Sequence, residues 1–167
     1  TTFIQIETPL GTMKGYLANE TPLHRDNFIK LINEQFYDSL LFHRVIPGFM
    51  IQGGDPDSKN AKAGIPLGMG GPGYLVPAEF VDSLAHVKGA LAAARSNNPE
   101  KKSSGSQFYI VSDRPVALTD LPLQEFKHNV KYTESVNQEY QALGGTPFLD
   151  HDYTVFGRIT EGLDIID

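Results

Sequence analysis

The sequence predicts an all-β barrel or sandwich with helices at its ends. Three observations support this class: several short strand-like segments, helical segments with cap signatures, and 16 glycines and 11 prolines among 167 residues. The apolar fraction of 40% and the charged fraction of 20% are those of an ordinary globular domain. No repeat and no linker divides the chain, so we expect a single domain over residues 1–167.

The first third of the chain predicts strands around one helix. Residues 3–6 and 13–17 form a predicted strand pair across a turn. Thr21-Pro22 predicts a helix start, with the threonine hydroxyl as the cap and proline at the first helical position. Apolar residues at intervals of three and four continue this helix to Phe36. Two further strands are expected at 40–45 and 49–52, separated by a Pro-Gly turn.

The middle of the chain holds a long loop and a run of small residues. Residues 55–73 are rich in glycine and proline, and their G-x-G-x-x-G spacing lacks the strand and helix that a dinucleotide site requires. The run 89–94 is helical by composition, because alanine is the best helix former. It could instead be a strand whose small side chains leave room for a ligand. Residues 107–111 predict a strong strand.

The last third predicts a helical excursion between strands. Pro122 opens one helical pattern, and a second pattern at 136–143 ends at Gly144-Gly145, a C-terminal cap signature. A final strand is expected at 153–159. The segment 113–147 therefore interrupts an otherwise strand-rich chain.

Composition excludes several classes of function. The net charge of −6, with Lys101-Lys102 as the one basic doublet, argues against nucleic acid as the main partner. No apolar run reaches the roughly 18 residues of a membrane-spanning helix. The absence of cysteine excludes a disulfide scaffold and thiol chemistry.

The segment 42–55 is the most informative stretch of the chain. It places Arg44 and Gln52 on either side of the apolar pair Phe49-Met50 and closes with two glycines. No metal-ligand cluster and no set of nucleophile, base and orienting group accompanies it in the sequence, which argues against a hydrolase. Such a segment predicts a site that holds an apolar group and donates hydrogen bonds to it, and this suits catalysis of a bond rotation.

Three segments closely resemble the cyclophilin family of peptidyl-prolyl cis-trans isomerases: residues 42–55, residues 105–110, and residues 148–150 leading to 155–157. The resemblance covers residues 1–112 and 148–167. It implies a closed eight-stranded antiparallel β-barrel capped by two helices, with 113–147 as an insertion. It also implies a substrate groove on the outer face of the barrel.

The resemblance also implies a role for individual residues. Arg44 would be the catalytic residue, donating to the proline nitrogen in the twisted state. Gln52 would orient Arg44, and Gln107 would bind the substrate backbone. The remaining substrate-binding positions would be the proline pocket (Phe49, Met50, Tyr109, Leu149), the groove lining (Ala94 and the backbone of Arg95) and the far wall (Phe148, Tyr153). The alanine run would then be a strand edge.

Other residues of these segments have structural interpretations. We expect Phe108 in the core and His43 in a hydrogen-bonded scaffold role, because it points away from the face that carries Arg44. His151-Asp152 forms a poor chelate, so no metal is expected. The hydroxyl of Tyr109, where phenylalanine is common, must find a partner. The insertion could border the groove, decorate the fold or dock a partner.

The expected substrates are proline-containing peptides and unfolded chains, bound by a monomer without a cofactor. Phe148 and Tyr153 stand where the best-studied eukaryotic members have tryptophan and histidine, a pairing of bacterial members that predicts weak cyclosporin binding. A non-catalytic proline-peptide binding or chaperone module is the alternative. The family's last barrel strand is expected to be missing after Asp167. The absence of cysteine and of an initiator methionine favours the bacterial periplasm or cell envelope over the cytoplasm.

Overall fold

The computed structural model describes residues 1–167 and contains nine β-strands and four α-helices. The strands are β1 (Thr2–Thr8), β2 (Gly11–Leu17), β3 (Arg44–Ile46), β4 (Met50–Gly53), β5 (Leu75–Val76), β6 (Ala90–Ala93), β7 (Ser103–Ser104), β8 (Phe108–Val111) and β9 (Val155–Glu161). The helices are α1 (Pro22–Asn33), α2 (Asp120–His128), α3 (Glu134–Leu143) and α4 (Leu163–Ile166). Single 3-10 turns lie at Pro56–Ser58 and Pro147–Leu149.

Seven strands form one antiparallel sheet in the order β1-β2-β9-β6-β8-β4-β3, and β5 pairs with β7 in a small second sheet. This mostly-β fold with a few helices agrees with the class that the sequence predicts. The predicted closed barrel of eight strands is not confirmed, because β1 and β3 lie at the two ends of the large sheet. The alanine strand β6 lies between β8 and β9 and is therefore an interior strand, so its expected position at an edge is wrong.

The central strands bury both faces, with side chains alternating between two apolar clusters. Leu91 of β6 and Ile110 of β8 belong to the main core, as does Phe108, in agreement with its expected place. Ala92 of β6 and Tyr109 of β8 belong to a second cluster on the opposite face. This alternation follows from the two-residue period of a strand.

The alanine run is a strand because its neighbours complete its hydrogen bonds. Leu91 and Ala93 pair with Ile110 and Phe108 of β8, while β9 pairs with the other side of β6. Helix propensity differs between residues by less than about 1 kcal/mol, so this tertiary pairing overrides it. The structure thus resolves the ambiguity in the sequence in favour of a strand.

Helix α1 begins where the sequence predicts, but its cap is different. Thr21 is the N-cap residue, yet its side chain accepts no capping hydrogen bond and its hydroxyl has no partner. Instead Glu79 accepts hydrogen bonds from the backbone N–H groups of Leu23 and His24, at 3.1 and 2.8 Å. A carboxylate distant in sequence therefore satisfies the first turn.

Two of the predicted elements are longer than those in the structure. Helix α1 ends before Phe36, because Gln35 takes a left-handed conformation with φ of 59°. Residues 40–43 form no strand, and pairing with β4 begins at Arg44.

The insertion forms the two predicted helices and packs on its own apolar cluster. Leu121, Tyr132, Val136 and Tyr140 contact buried residues of the segment that precedes β6. The hydroxyl of Thr133 caps α3 by accepting the N–H of Val136. None of the helices has the length and hydropathy needed to cross a membrane.

Replacing the cap carboxylate should destabilise the fold. Glu79→Ala leaves two backbone N–H groups of α1 without an acceptor, and we expect a loss of about 2–3 kcal/mol in the free energy of unfolding. Urea denaturation followed by circular dichroism measures this loss. The exposed Glu34 makes no ion pair, so Glu34→Ala is the matched control. Equal stabilities for the two variants would contradict the long-range cap.

Stability should also fall in mild acid because of His24. Burial lowers the pKa of His24, and the hydrogen bond and charge of Glu79 only partly oppose this effect. The unfolded chain, whose histidines titrate near 6.5, then binds a proton more readily than the folded protein. The contribution of His24 is therefore complete above about pH 6.5 and is lost as the pH falls from there through the lowered folded-state pKa.

Urea midpoints at pH 7.5 and 5.5 test this pH dependence. His24→Gln removes the titrating group, so the variant should lose less stability than the parent between the two pH values. The other histidines are present in both proteins and act as an internal control. An identical loss in parent and variant would show that His24 is not responsible.

Candidate functional site

A tight hairpin brings the two polar residues of segment 42–55 together. Strands β3 and β4 pair antiparallel, and Arg44 lies directly opposite Gln52. Gly48 supplies the positive φ of 68° that the turn requires, and Phe49 donates its N–H to the carbonyl of Ile46 at 3.0 Å. The separation of eight residues in the sequence therefore becomes a cross-strand contact.

A chain of side-chain amides orients Arg44. Its Nη1 donates to Oε1 of Gln52 at 3.3 Å, and Nε2 of Gln52 donates to Oε1 of Gln107 at 3.1 Å. Gln107 in turn donates to the carbonyls of Gly68 and Gly70, at 2.9 and 2.7 Å. The guanidinium itself is exposed, so its remaining N–H groups face solvent.

This chain changes the expected role of Gln107. Both N–H groups of its amide are donated within the protein, its oxygen accepts from Gln52, and the side chain is buried. The geometry therefore favours a role in orienting Gln52 over the expected contact with a substrate backbone. Gly68 and Gly70, two of the three glycines with the G-x-G-x-x-G spacing, supply these acceptor carbonyls.

The expected pocket residues meet in the apolar cluster on the outer face of β6 and β8. Met50 and Tyr109 are buried there, and Phe49, Leu149 and Tyr153 pack around them. Three separate stretches of the sequence thus contribute to one apolar cluster. Strand β6 presents only the methyl groups of alanines to this cluster.

Aromatic contacts border this apolar cluster. The ring centroid of Phe148 lies 6.0 Å from that of Phe49, and the ring of Tyr153 lies 6.0 Å from that of Tyr109. Phe148 is 37% exposed, so its side chain is partly open to solvent.

The backbone groups of Arg95 have no hydrogen-bond partner within the protein. Ala94, which precedes it, donates its N–H to Gln107 and accepts from Ser104. The N–H and carbonyl of Arg95, in contrast, make no hydrogen bond within the protein. Its side chain turns away, donating to the carbonyl of Asp152 at 2.7 Å.

Three of the five arginines lie beside the apolar cluster or on the hairpin that leads to it, and we call them the rim. They are Arg44 on β3, Arg95 with its Cζ 4.5 Å from the ring of Tyr153, and Arg114 with its Cζ 5.1 Å from the ring of Phe148. None of the three forms an ion pair, whereas the other two arginines do so elsewhere. The rim can therefore attract a negatively charged group.

The hydroxyl of Tyr109 has buried partners that sequence reasoning missed. It lies 2.7 Å from Nε2 of His86, whose Nδ1 lies 2.7 Å from Oδ1 of Asp150. The need of the hydroxyl for a partner was a usable signal, and a histidine just before the alanine strand was a candidate. The partnership itself joins positions 23 and 64 residues apart in the sequence.

The remaining histidines near the motifs do not gather at the pocket. His43 is partly buried, and burial lowers its pKa, but its Nδ1 has no partner, so the expected hydrogen bond is absent. His151 pairs with Asp82 at 3.2 Å, while Asp152 pairs with Lys101 at 2.6 Å. The adjacent residues His151 and Asp152 therefore contact different partners.

One group of residues has the distances of a hydrolytic triad, which the sequence did not predict. Ser103 Oγ lies 2.8 Å from Nε2 of His24, and Nδ1 of His24 lies 2.6 Å from Glu79. Ser103 is only 1% exposed and His24 only 4%, so no substrate can reach the hydroxyl. Because the same carboxylate caps α1, we interpret this group as a buried anchor of the helix.

Comparison with curated proteins gives several relatives named as peptidyl-prolyl cis-trans isomerases. A peptidyl-prolyl cis-trans isomerase of Synechococcus elongatus is 42% identical over 106 residues, covering 63% of this chain and 65% of that protein. A Staphylococcus saprophyticus protein, provisionally named a peptidyl-prolyl cis-trans isomerase, is 33% identical and covers 98% of this chain and 80% of that protein.

A Streptococcus pyogenes relative is much longer. It is provisionally named a bifunctional phosphatase/peptidyl-prolyl cis-trans isomerase and is 35% identical over 95% of this chain. The chain spans only 31% of that protein.

Solved structures support the fold. A cyclophilin type peptidyl-prolyl cis-trans isomerase of Cryptosporidium parvum covers 99% of this chain, and this chain covers 81% of it, with a TM-score of 0.70 at 24% identity. The same protein solved in the presence of the dipeptide Ala-Pro gives a TM-score of 0.69. At this identity the similarity concerns the fold alone.

The family comparison covers nearly the whole chain. Residues 3–167 match the model of the family described as cyclophilin type peptidyl-prolyl cis-trans isomerase/CLD. Together with the Staphylococcus relative and the curled antiparallel sheet, this match leads to one conclusion: the chain belongs to the cyclophilin family of peptidyl-prolyl cis-trans isomerases.

Proposed function

We propose that this protein catalyses cis-trans rotation about X-Pro bonds in peptides and unfolded protein chains. One observation carries the proposal: an amide chain holds the exposed Arg44 guanidinium on β3, and its partner strand β4 begins at Met50 in the apolar cluster that also contains Tyr109. The family assignment supports the same reaction. Residues 113–147 are proposed as an insertion within a single isomerase domain.

The chemistry requires a well-placed donor and no covalent intermediate. Rotation about a peptide bond has a barrier of about 18–20 kcal/mol, because amide resonance must be broken. In the twisted state the proline nitrogen regains a lone pair and can accept a hydrogen bond. A donor fixed in advance stabilises that state more than the planar amide. Lowering the barrier by about 7 kcal/mol would accelerate the rotation roughly 10⁵-fold.

In this mechanism Arg44 is the donor, because its guanidinium is always charged and holds its N–H groups in a rigid plane. Gln52 and Gln107 keep that plane in place and act as positioning residues. No step requires a cofactor, because the reaction makes and breaks no covalent bond.

The pocket and groove bind the substrate. Phe49, Met50, Tyr109 and Leu149 would surround the proline ring, which matches their apolar contacts in one cluster. Ala94 and the free backbone of Arg95 would lie beside the extended peptide, and Phe148 and Tyr153 would form the far wall. Phe148 has no indole N–H group to donate, so cyclosporin should bind weakly.

Removing the arginine should abolish most of the catalysis. For Arg44→Ala we expect kcat/KM to fall about 10²–10³-fold in a protease-coupled assay on an Ala-Pro-Phe peptide, since one preorganised donor is worth about that much. Arg25→Ala is the control, because Arg25 pairs with Asp26 on α1.

The result separates the proposed reaction from its alternative. An inactive parent that still binds the peptide would favour a non-catalytic proline-peptide binding module. A parent and an Arg44→Ala variant of equal activity would refute the assigned role of Arg44.

The positive rim predicts a preference for acidic peptides. With glutamate in place of lysine before proline, we expect KM to be several-fold lower at low ionic strength and the difference to shrink in about 0.5 M salt. Isomerisation measured by NMR exchange avoids dependence on a protease.

Variants at the rim locate this preference. Arg114→Ala should weaken it, and Arg25→Ala should leave it unchanged. A preference that resists both salt and Arg114→Ala would show that the rim does not select substrates by charge.

A further inference from the structure

We propose that Tyr132 and Tyr140 of the insertion are positioning residues for the proline pocket, acting through Asp150 and His86 on the ring of Tyr109. The proposal rests on the proposed function, because it takes Tyr109 as part of the proline pocket. It assigns the insertion a role in the isomerase site itself.

The side chains form a continuous hydrogen-bonded relay. Tyr132 and Tyr140 both donate their hydroxyl protons to Oδ2 of Asp150, at 2.6 and 2.5 Å. Oδ1 of Asp150 lies 2.7 Å from Nδ1 of His86 and accepts the backbone N–H of His86 at 2.9 Å. Nε2 of His86 lies 2.7 Å from the hydroxyl of Tyr109, and the two rings stack 5.9 Å apart.

The relay is sealed from solvent. Each of the five side chains is at most 6% exposed. Four donors surround the Asp150 carboxylate, which is about the number that its two oxygens can accept. In an environment this dry, each missing donor leaves a buried acceptor unsatisfied.

The direction of the hydrogen bonds to Asp150 follows from the negative charge of its carboxylate. Burial acts to raise the pKa of Asp150, but the hydrogen bonds from His86, Tyr132 and Tyr140 and the charge on His86 outweigh it and lower this pKa below the ordinary value. An ionised carboxylate only accepts, so Nδ1 of His86 carries the proton. Nε2 of His86 faces the Tyr109 hydroxyl at 2.7 Å and completes the relay.

The insertion holds its two tyrosines rigidly. Its ends meet where Gly145 donates to the carbonyl of Arg114 at 2.9 Å. The next residue, Thr146, donates to the carbonyl of His86 at 2.8 Å. A side chain at Gly145 would lie 2.2 Å from that same carbonyl, so glycine is needed for this close approach. The exit of the insertion is therefore fixed against the middle of the relay.

The relay also lies close to the proposed groove. Tyr132 and Asp150 of the relay and Tyr153 of the far wall are among the residues that line one small cavity. Without the two tyrosine hydroxyls, Oδ2 of Asp150 would have to turn toward this cavity or draw in water. His86 would lose its fixed partner, and the Tyr109 ring would gain freedom against the proline ring.

Steady-state kinetics on an Ala-Pro-Phe peptide test the relay with Tyr132→Phe, Tyr140→Phe and the double variant. Because Tyr109 shapes the pocket while Arg44 donates to the twisted bond, we expect the double variant to raise KM about tenfold and to change kcat less than twofold. Gln141→Ala is the control: Gln141 lies on the exposed face of α3 and its side chain makes no hydrogen bond, so the variant leaves the relay intact and its KM should match that of the parent.

Two further measurements separate positioning from a general loss of structure. Side-chain ¹⁵N NMR of His86 should show a proton on Nδ1 in the parent and a changed pattern in the double variant. In a Tyr109→Phe background, which removes the end of the relay, the two substitutions should change KM less than twofold, because coupled residues are not additive. If the double variant does not fold, the single variants in both backgrounds provide the same comparison.

Each outcome supports or overturns the proposal. An unchanged KM in folded variants, an equal rise in KM for Gln141→Ala, or additive effects in the Tyr109→Phe background would overturn it. An inactive parent would instead refute the proposed function, and the NMR pattern of His86 would still report whether the relay exists.

Discussion

The central strands β6 and β8 bury both of their faces, and the side chains on the two faces differ in size. On the inner face Leu91, Phe108 and Ile110 hold the sheet to the main core. On the outer face β6 presents only alanine methyl groups, and Tyr109 and its neighbours pack against them. Larger residues at these alanine positions would displace the neighbours that form the proposed proline pocket. The size difference across one strand therefore lets one sheet serve both the main core and the proposed site.

Two kinds of contact hold the insertion to the rest of the fold. Its apolar residues pack against the segment before β6, which gives the helices a place on the fold. Its tyrosine hydroxyls reach past this packing to the buried carboxylate of Asp150. A decoration would need only the apolar contacts. The buried polar contacts tie the insertion to His86 and Tyr109, and such contacts tolerate little rearrangement because each group depends on the next.

The sequence predicted the strand-rich class, both insertion helices and the gathering of Arg44, Gln52, Phe49 and Met50, because these depend on local periodicity and on one hairpin. It failed where distant segments meet. The cap of α1 comes from Glu79, whose approach no local pattern reveals. The hydrogen bonds from the Gln107 amide to two loop carbonyls could not be predicted, because the path of a loop leaves no periodic signal in the sequence. The partners of Tyr109 were missed for the same reason.

The hydrogen bonds of the amide chain beneath Arg44 can run in only one direction. A guanidinium can only donate and a backbone carbonyl can only accept, so the two glutamines between them must both turn their oxygens toward Arg44 and their nitrogens toward the glycine loop. The orientation of each amide is thereby decided by the ends of the chain. Glutamate at either position would leave the next acceptor facing another acceptor. The isosteric exchange of a single atom, which alters neither size nor shape, would thus disconnect the arginine from the loop that supports it.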